Sequence, residues 1–308
     1  MNNQQIMQKL AEIKMALSDL ESMIHGMSMN MPMMNPVLEK PLYAAQELLP
    51  KDNFETFKYL LESPEWPKAV EDELICDTNN EEHKNNRACG IVDVMITVPI
   101  TGKKILDFGA GEGHVAKVCA ERSAEFSVGF DVENNFIANN QKNTLLTSRW
   151  RDVQDRGPYD VILACDVLDH LKDINPVEAL KKMKEVLAPN GKIFVRYHSF
   201  MSRHYAHLYK KINKAFVHLI FTTEELRKLF PGEDVNFTHK VYFPIKTYND
   251  NAAAAGLRVE NEYKITSEVE DFFQRPEILD RIYFNTPFKN FPKPQMEMDF
   301  VDHILIHQ

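Results

Sequence analysis

KKILDFGAGEGHV, residues 103–115, is the stretch whose reading decides the fold. Ile105 and Leu106 supply the apolar end of a short buried strand, and Gly109, Gly111 and Gly113 then arrive at every second position before a helix starts. Glycine at that spacing lets the backbone turn sharply and lets a ligand lie against it with no side chain in the way. The amide groups that open the following helix add a partial positive charge. Strand, glycine turn and helix in this order predict a doubly wound α/β sheet with a ligand at the turn.

Two details separate this turn from the dinucleotide fingerprint G-x-G-x-x-G. The third glycine comes one residue early, and Asp107 stands two positions before Gly109. The pattern D-x-G-x-G-x-G resembles the first motif of the Rossmann-like (class I) S-adenosylmethionine-dependent methyltransferases, in which that acid lies near the amino end of the methionine moiety. The next segment extends the resemblance. EFSVGFDV, residues 125–132, reads as a second strand ending in Asp131, twenty residues after Gly111, close to the ~20-residue offset of a ribose-binding carboxylate. A carboxylate has two acceptor oxygens and can take both ribose hydroxyls; Val132 follows it into the same region. A third apolar run, TLLT at 144–147, precedes Arg149, Trp150 and Asp152, where the family surrounds the adenine. Trp150 is expected either to stack on the base or to serve as a lid or core side chain.

GPYDVILACDVLDHL, residues 157–171, gives turn, strand and acidic end in the order the resemblance demands, with Asp166 at the strand end and Asp169 where the family has Glu. LAPNGKIFVR, residues 187–196, resembles the turn into the fifth strand, L-x-P-G-G-x-L, with Asn190 for the first glycine; Asn tolerates left-handed backbone. The resemblance implies a mixed seven-stranded sheet whose last strand is antiparallel, S-adenosylmethionine as cofactor, and Asp107, Gly109, Gly111, Gly113, Asp131, Val132, Trp150 and Asp166 around it.

The 308 residues suffice for one large or two modest domains, and 44% hydrophobic with 26% charged residues suits a globular chain. No apolar run approaches the ~20 residues of a membrane span, and the polar, amphipathic start is not that of a secretory leader. Cys76, Cys89, Cys119 and Cys165 form no C-x-x-C pair, which suits buried thiols in a reducing cytoplasm. A net charge of -9 argues against a surface built wholly for nucleic acid and leaves room for a local basic patch. Ile6, Leu10, Ile13, Leu17, Leu20 and Ile24 alternate spacings of four and three. This is either a short coiled-coil seam for self-association within residues 4–25 or an amphipathic helix packed on its own domain.

The domain reading is a helix at 1–26, a Met-rich linker at 27–36, a helical cap or scaffold at 37–100 and the methyltransferase-like domain at 101–308. Within the cap, NNEEHKNN at 79–86 reads as a polar surface loop and residues 90–96 as a helix over the first strand. FTTEELRKLF at 221–230 carries a capping-box spacing from Thr222 to Glu225. Residues 241–245 are the expected sixth strand, 250–291 an insertion with a helix at 267–273, and 299–306 the final strand.

Catalysis should fall at the carboxyl ends of strands four and five, which selects Asp166, Asp169, His170 and the residues after Arg196. From 196 to 218 that segment carries His198, Arg203, His204, His207, Lys210, Lys211, Lys214 and His218 among Tyr197, Tyr205 and Tyr209. Such a mixture suits an anionic acceptor, a small molecule or RNA. His198 is the first choice of general base, since imidazole titrates near neutrality, with His170 beside it. Asp166, Asp169, His170 and the distant His218 also resemble the E-x-x-E-H plus His set of metal-assisted methyltransferases. Here Asp replaces Glu and shortens both arms, and a metal-free site is the preferred reading. The competing class is a noncatalytic assembly module that keeps the fold and the cofactor-binding turn.

Overall fold

The computed structural model describes residues 45–64, 66–70, 80–139, 141–168, 170–171, 175–198, 202–203, 208–232, 245–266 and 298–308. The expected seam and linker, the helix at 267–273, Asp169, His204 and His207 lie outside them. Two compact units are present, Met1–Glu62 and Ser63–Gln308. In the first, helix α1 (Lys51–Glu62) buries Phe57, Leu60 and Leu61.

The second unit is built on a seven-stranded sheet of order β3-β2-β1-β4-β5-β7-β6. Its strands are β1 (Lys104–Phe108), β2 (Phe126–Phe130), β3 (Thr144–Thr147), β4 (Tyr159–Cys165), β5 (Leu187–His198), β6 (Leu257–Thr266) and β7 (Met298–His307). β1 to β5 run parallel, and β7 enters antiparallel between β5 and β6. Alternate residues of one strand face opposite sides, and each side is apolar. Ile105, Val161, Leu163, Phe194 and Ile304 pack with Ile91, Val92 and Met95 of α2 (Glu81–Met95) and Val118 and Cys119 of α3 (His114–Glu121). On the opposite side Leu106, Ile162, Val195 and Tyr197 pack with Leu180 and Met183 of α5 (Pro176–Glu185), which follows the short α4 (Trp150–Arg156). Tyr248 and Ala252 join that side from α8 (Ile245–Ala254), beyond α6 (Val217–Ile220) and α7 (Thr223–Leu229).

Strand order reverses between β1 and β4, so their carboxyl ends open a crevice, the place where ligands meet such sheets. β2 can lie close to α3 and β3 because its Gly129 has no side chain; a Cβ there would stand 2.7 Å from Leu146 Cδ2 and 3.2 Å from Ala110 and Ala116.

Three expectations need correction. Residues 80–86 of the expected loop are not a loop: Asn80 caps α2 by accepting from the His83 amide, and Glu81 and Glu82 fill the first turn, where carboxylates complement the helix dipole. Of the expected sixth strand at 241–245, residues 241–244 lie outside the described residues and Ile245 opens α8; the sixth strand of the sheet lies later. It is β6, inside the supposed insertion, an edge strand so exposed that its alternation carries little hydrophobic contrast. The LAPNG stretch is part of β5, its excess length taken up by an irregularity opposite Tyr159 and Val161. The capping box agrees with expectation: in α7 Thr222 and Glu225 are each bonded to the other's backbone amide.

Candidate functional site

The glycine turn closes against the end of β2, where the amides of Gly109 and Ala110 both donate to Phe130 O, at 2.8 and 2.9 Å. Gly109, Gly111 and Gly113 have φ of 78°, 53° and 92°, a region that L side chains avoid. At Gly113 a Cβ would also stand 2.6 Å from Leu146 Cδ2, so that side chain would have to shift, whereas the space around Gly111 is open.

Two acids flank the turn. Asp107 is 3% exposed. Burial, with a smaller contribution from Asp131, pushes its carboxyl up to about 7, against the pull of the Ala116 amide and Arg87. Its Oδ2 is buried with no hydrogen-bond partner among the described residues, and a buried carboxylate oxygen calls for a donor. Asp131 accepts from the Gly111 amide at 2.8 Å and from the Glu133 amide at 3.0 Å, which sets its carboxylate against the turn. Val132 beside it is 74% exposed. Trp150, at the start of α4, packs edge-on against Phe108 and Phe130, with centroids 6.0 and 5.3 Å away, so its indole is a wall of the core cluster.

At the ends of β4 and β5 the chain gathers charge. Asp166 adopts left-handed backbone at φ 57°, and its amide donates to Arg196 O at 2.9 Å. That turn directs the carboxylate to His198, whose Nε2 lies 3.1 Å from Oδ1, while Arg87 Nη2 donates to Oδ2 at 3.2 Å. Burial opposes the charge on Asp166, but His198, Arg87 and Arg196 outweigh it and hold this carboxyl below the usual range. His198 is 7% exposed and packs on Phe300 with ring centroids 4.5 Å apart. The Arg196 guanidinium lies 5.0 Å over the same Phe300 ring and donates twice to Asp302, Nε to Oδ1 at 2.7 Å and Nη2 to Oδ2 at 2.6 Å.

Of the residues proposed for metal, Asp166 is taken up by His198 and Arg87, and His218 is 5% exposed in α6 between Val217 and Leu219. His170 lies in the turn after β4, its amide bonded to Val167 O. The described part of the basic segment is likewise more interior than expected: Lys214 donates to Ser63 O at 2.7 Å, and Ile212, Ala215, Phe216, Leu219 and Ile220 are buried. Among the described residues the histidine and carboxylate donors that converge within 4.8 Å are Glu81, Glu112 and His114. Lys84 already serves those carboxylates as cation, at 3.0 Å from Glu81 Oε1 and 2.7 Å from Glu112 Oε2. Lys84, Arg87, Glu112 and His114 were not singled out from sequence. The available signal was Asn80 followed by two glutamates, which starts a helix and sets Lys84 and Arg87 one turn apart.

A family described as "Methyltransferase domain" matches residues 81–262, the span that holds α2, the glycine turn, Asp131, Asp166 and His198. The chain belongs to the Rossmann-like S-adenosylmethionine-dependent methyltransferase family. Among curated relatives of this family member, a ubiquinone biosynthesis O-methyltransferase of Neisseria meningitidis is 24% identical over 143 residues, covering 43% of this chain and 55% of that one. The protein of the same name from Idiomarina loihiensis is 32% identical over 103 residues, 30% of this chain and 41% of that one. The chain thus spans about half the length of the curated relatives it matches. Solved structures that resemble it include magnesium protoporphyrin IX methyltransferase from Synechocystis with bound SAH, at TM-score 0.45 and 10% identity over 84% of this chain and 95% of that one. Another is an S-adenosylmethionine-dependent methyltransferase from Mesorhizobium loti, at TM-score 0.43 and 13% identity over 70% and 95%. Among the described residues no helix is long and apolar enough to cross a membrane.

Proposed function

We propose that this protein transfers a methyl group from S-adenosylmethionine to an oxygen or nitrogen of an acceptor held at the ends of β4 and β5. The observation that carries the reading is the buried pair Asp166 and His198, 3.1 Å apart beside the crevice. The cofactor suits the residues present: Asp107 has a buried oxygen in want of a donor, which the amino end of the cofactor would supply, and Asp131 would take the ribose hydroxyls. Gly111, with open space where a Cβ would stand, leaves the backbone uncovered between them.

When bound, S-adenosylmethionine supplies a sulfonium methyl already activated toward nucleophiles, so the chain's own task is to align the acceptor and manage its proton. His198 takes that proton on its imidazole, and Asp166 steadies the imidazolium through Nε2, as an oriented carboxylate does for a histidine base. Arg87, whose side chain is 57% exposed, faces the same crevice and favours an acceptor with anionic character. The relatives' name, O-methyltransferase, favours oxygen.

Titration calorimetry with S-adenosylmethionine and S-adenosylhomocysteine is the first test; failure to bind either would sink the reading. With binding established, methyl transfer is assayed on phenolic, carboxylic and RNA acceptors. On the best acceptor His198→Asn should lower kcat by roughly 10²–10⁴-fold, the range for loss of a general base. It should leave cofactor affinity in place.

A further inference from the structure

The turn at 109–113 has unusual conformational freedom on chain grounds, because three of its five residues are glycines at positive φ. Glu112 is its one side chain with long polar reach, and its groups are engaged on two sides. The carboxylate accepts from Lys84 Nζ at 2.7 and 3.0 Å and meets His114 Nε2 at 3.1 Å. The carbonyl accepts from the Ile137 amide at 2.9 Å. Lys84 is steadied in turn by Glu81 Oε1 at 3.0 Å, and Asn85, the next residue of α2, meets His114 Nδ1 at 3.2 Å. Two consecutive residues of α2 therefore grip the two residues that flank Gly113. The Gly111 amide, directly before Glu112, is the one that donates to Asp131.

We propose that Lys84 and Glu112 are positioning residues for the cofactor: their ion pair latches the glycine turn to α2 and so holds the Gly111 amide and Asp131 in register. This rests on the cofactor reading given above. A ligand that lies on a turn already fixed loses less freedom when it binds. Releasing the order of about one backbone residue corresponds to roughly tenfold in affinity.

The structure supplies its own control. Arg122, which follows α3, forms an ion pair with Asp93 of α2, tying the same two helices away from the turn. S-adenosylhomocysteine affinity is measured by calorimetry for wild type, Lys84→Met, Glu112→Gln, the double variant, the charge exchange K84E/E112K and Asp93→Asn. The latch predicts about a tenfold loss in each single variant, no further loss in the double, substantial recovery in the exchange and wild-type affinity in Asp93→Asn. Single variants that bind like wild type would overturn it. So would an Asp93→Asn loss as large as that of Lys84→Met, since general docking of α2 would then suffice. Amide exchange at residues 109–114 without ligand separates the latch from the cofactor reading: Lys84→Met must speed exchange there. Unchanged exchange would refute the latch even in a chain that binds no cofactor.

Discussion

Replacing Asp107 with Asn removes a carboxyl that burial pushes up to about 7, from an ordinary value of 3.8. An acid whose value is raised by folding binds more protons in the folded chain than in the unfolded one, here between about pH 4 and pH 7. Stability must therefore fall as pH rises through that window and level off above it. From pH 5 to pH 8.5 the wild type should lose the equivalent of the two pH units between 5 and 7, about 3 kcal/mol. Because the group is fully buried, solvent does not screen this term. Asparagine does not titrate, so its packing penalty is the same at every pH. The stability of Asp107→Asn relative to wild type should accordingly improve by about 3 kcal/mol over that range. Urea unfolding followed by tryptophan fluorescence, at pH 5, 7 and 8.5 without ligand, measures the difference directly; Trp66 and Trp150 both lie in the unit that contains β1. A difference that stays flat with pH would refute the claim that Asp107 is held protonated by burial. The same variant should bind S-adenosylmethionine more weakly at pH 8.

Asp302→Ala leaves the Arg196 guanidinium, 12% exposed, without the carboxylate it bonds twice, and should cost about 3 kcal/mol in chemical unfolding. Gly113→Ala forces a Cβ toward Leu146 at φ 92° and should destabilise by about 2 kcal/mol in the same assay. Gly111→Ala, strained in φ but unobstructed, should cost less. Asp166→Asn should depress kcat on any acceptor found while changing S-adenosylhomocysteine affinity by less than about threefold, a smaller effect than loss of the base itself; equal kcat in variant and wild type would remove Asp166 from the proton-handling pair.

The parts legible in the sequence are those where one local pattern and one long-range demand coincide. Ile105, Leu106 and the three glycines read as strand and turn because burial on both faces and positive φ each restrict the residue type. Thr222 and Glu225 read as a helix start because the cap is made within four residues. Asp166 and His198 were placed at the same end of the sheet by topology alone, yet their pairing depends on the left-handed φ of Asp166, which an Asp does not announce. The first turns of α2 were illegible for a different reason. EEHKNN has no apolar stripe, so nothing in its periodicity marks a helix. Its position is fixed by Asn80 and by ionic contacts with Glu112 and Asp166, residues 28 and 79 positions away. β6 was missed because a strand exposed along most of its length shows little alternation of burial.

The place of β7 between β5 and β6 sets an order of events on the ribosome. β6 has no partner edge until residues 298–307 emerge, and the pairing of Arg196 with Asp302 closes a span of 106 residues. Until then the far edge of β5 presents unpaired backbone to any chain nearby. Long-range closure of this kind is slow, and an open strand edge invites pairing with the wrong partner. The interval between synthesis of β5 and arrival of β7 is thus the period in which a nascent chain most needs a chaperone's protection, and substitutions that weaken β7 should lower the yield of soluble protein before they alter its chemistry.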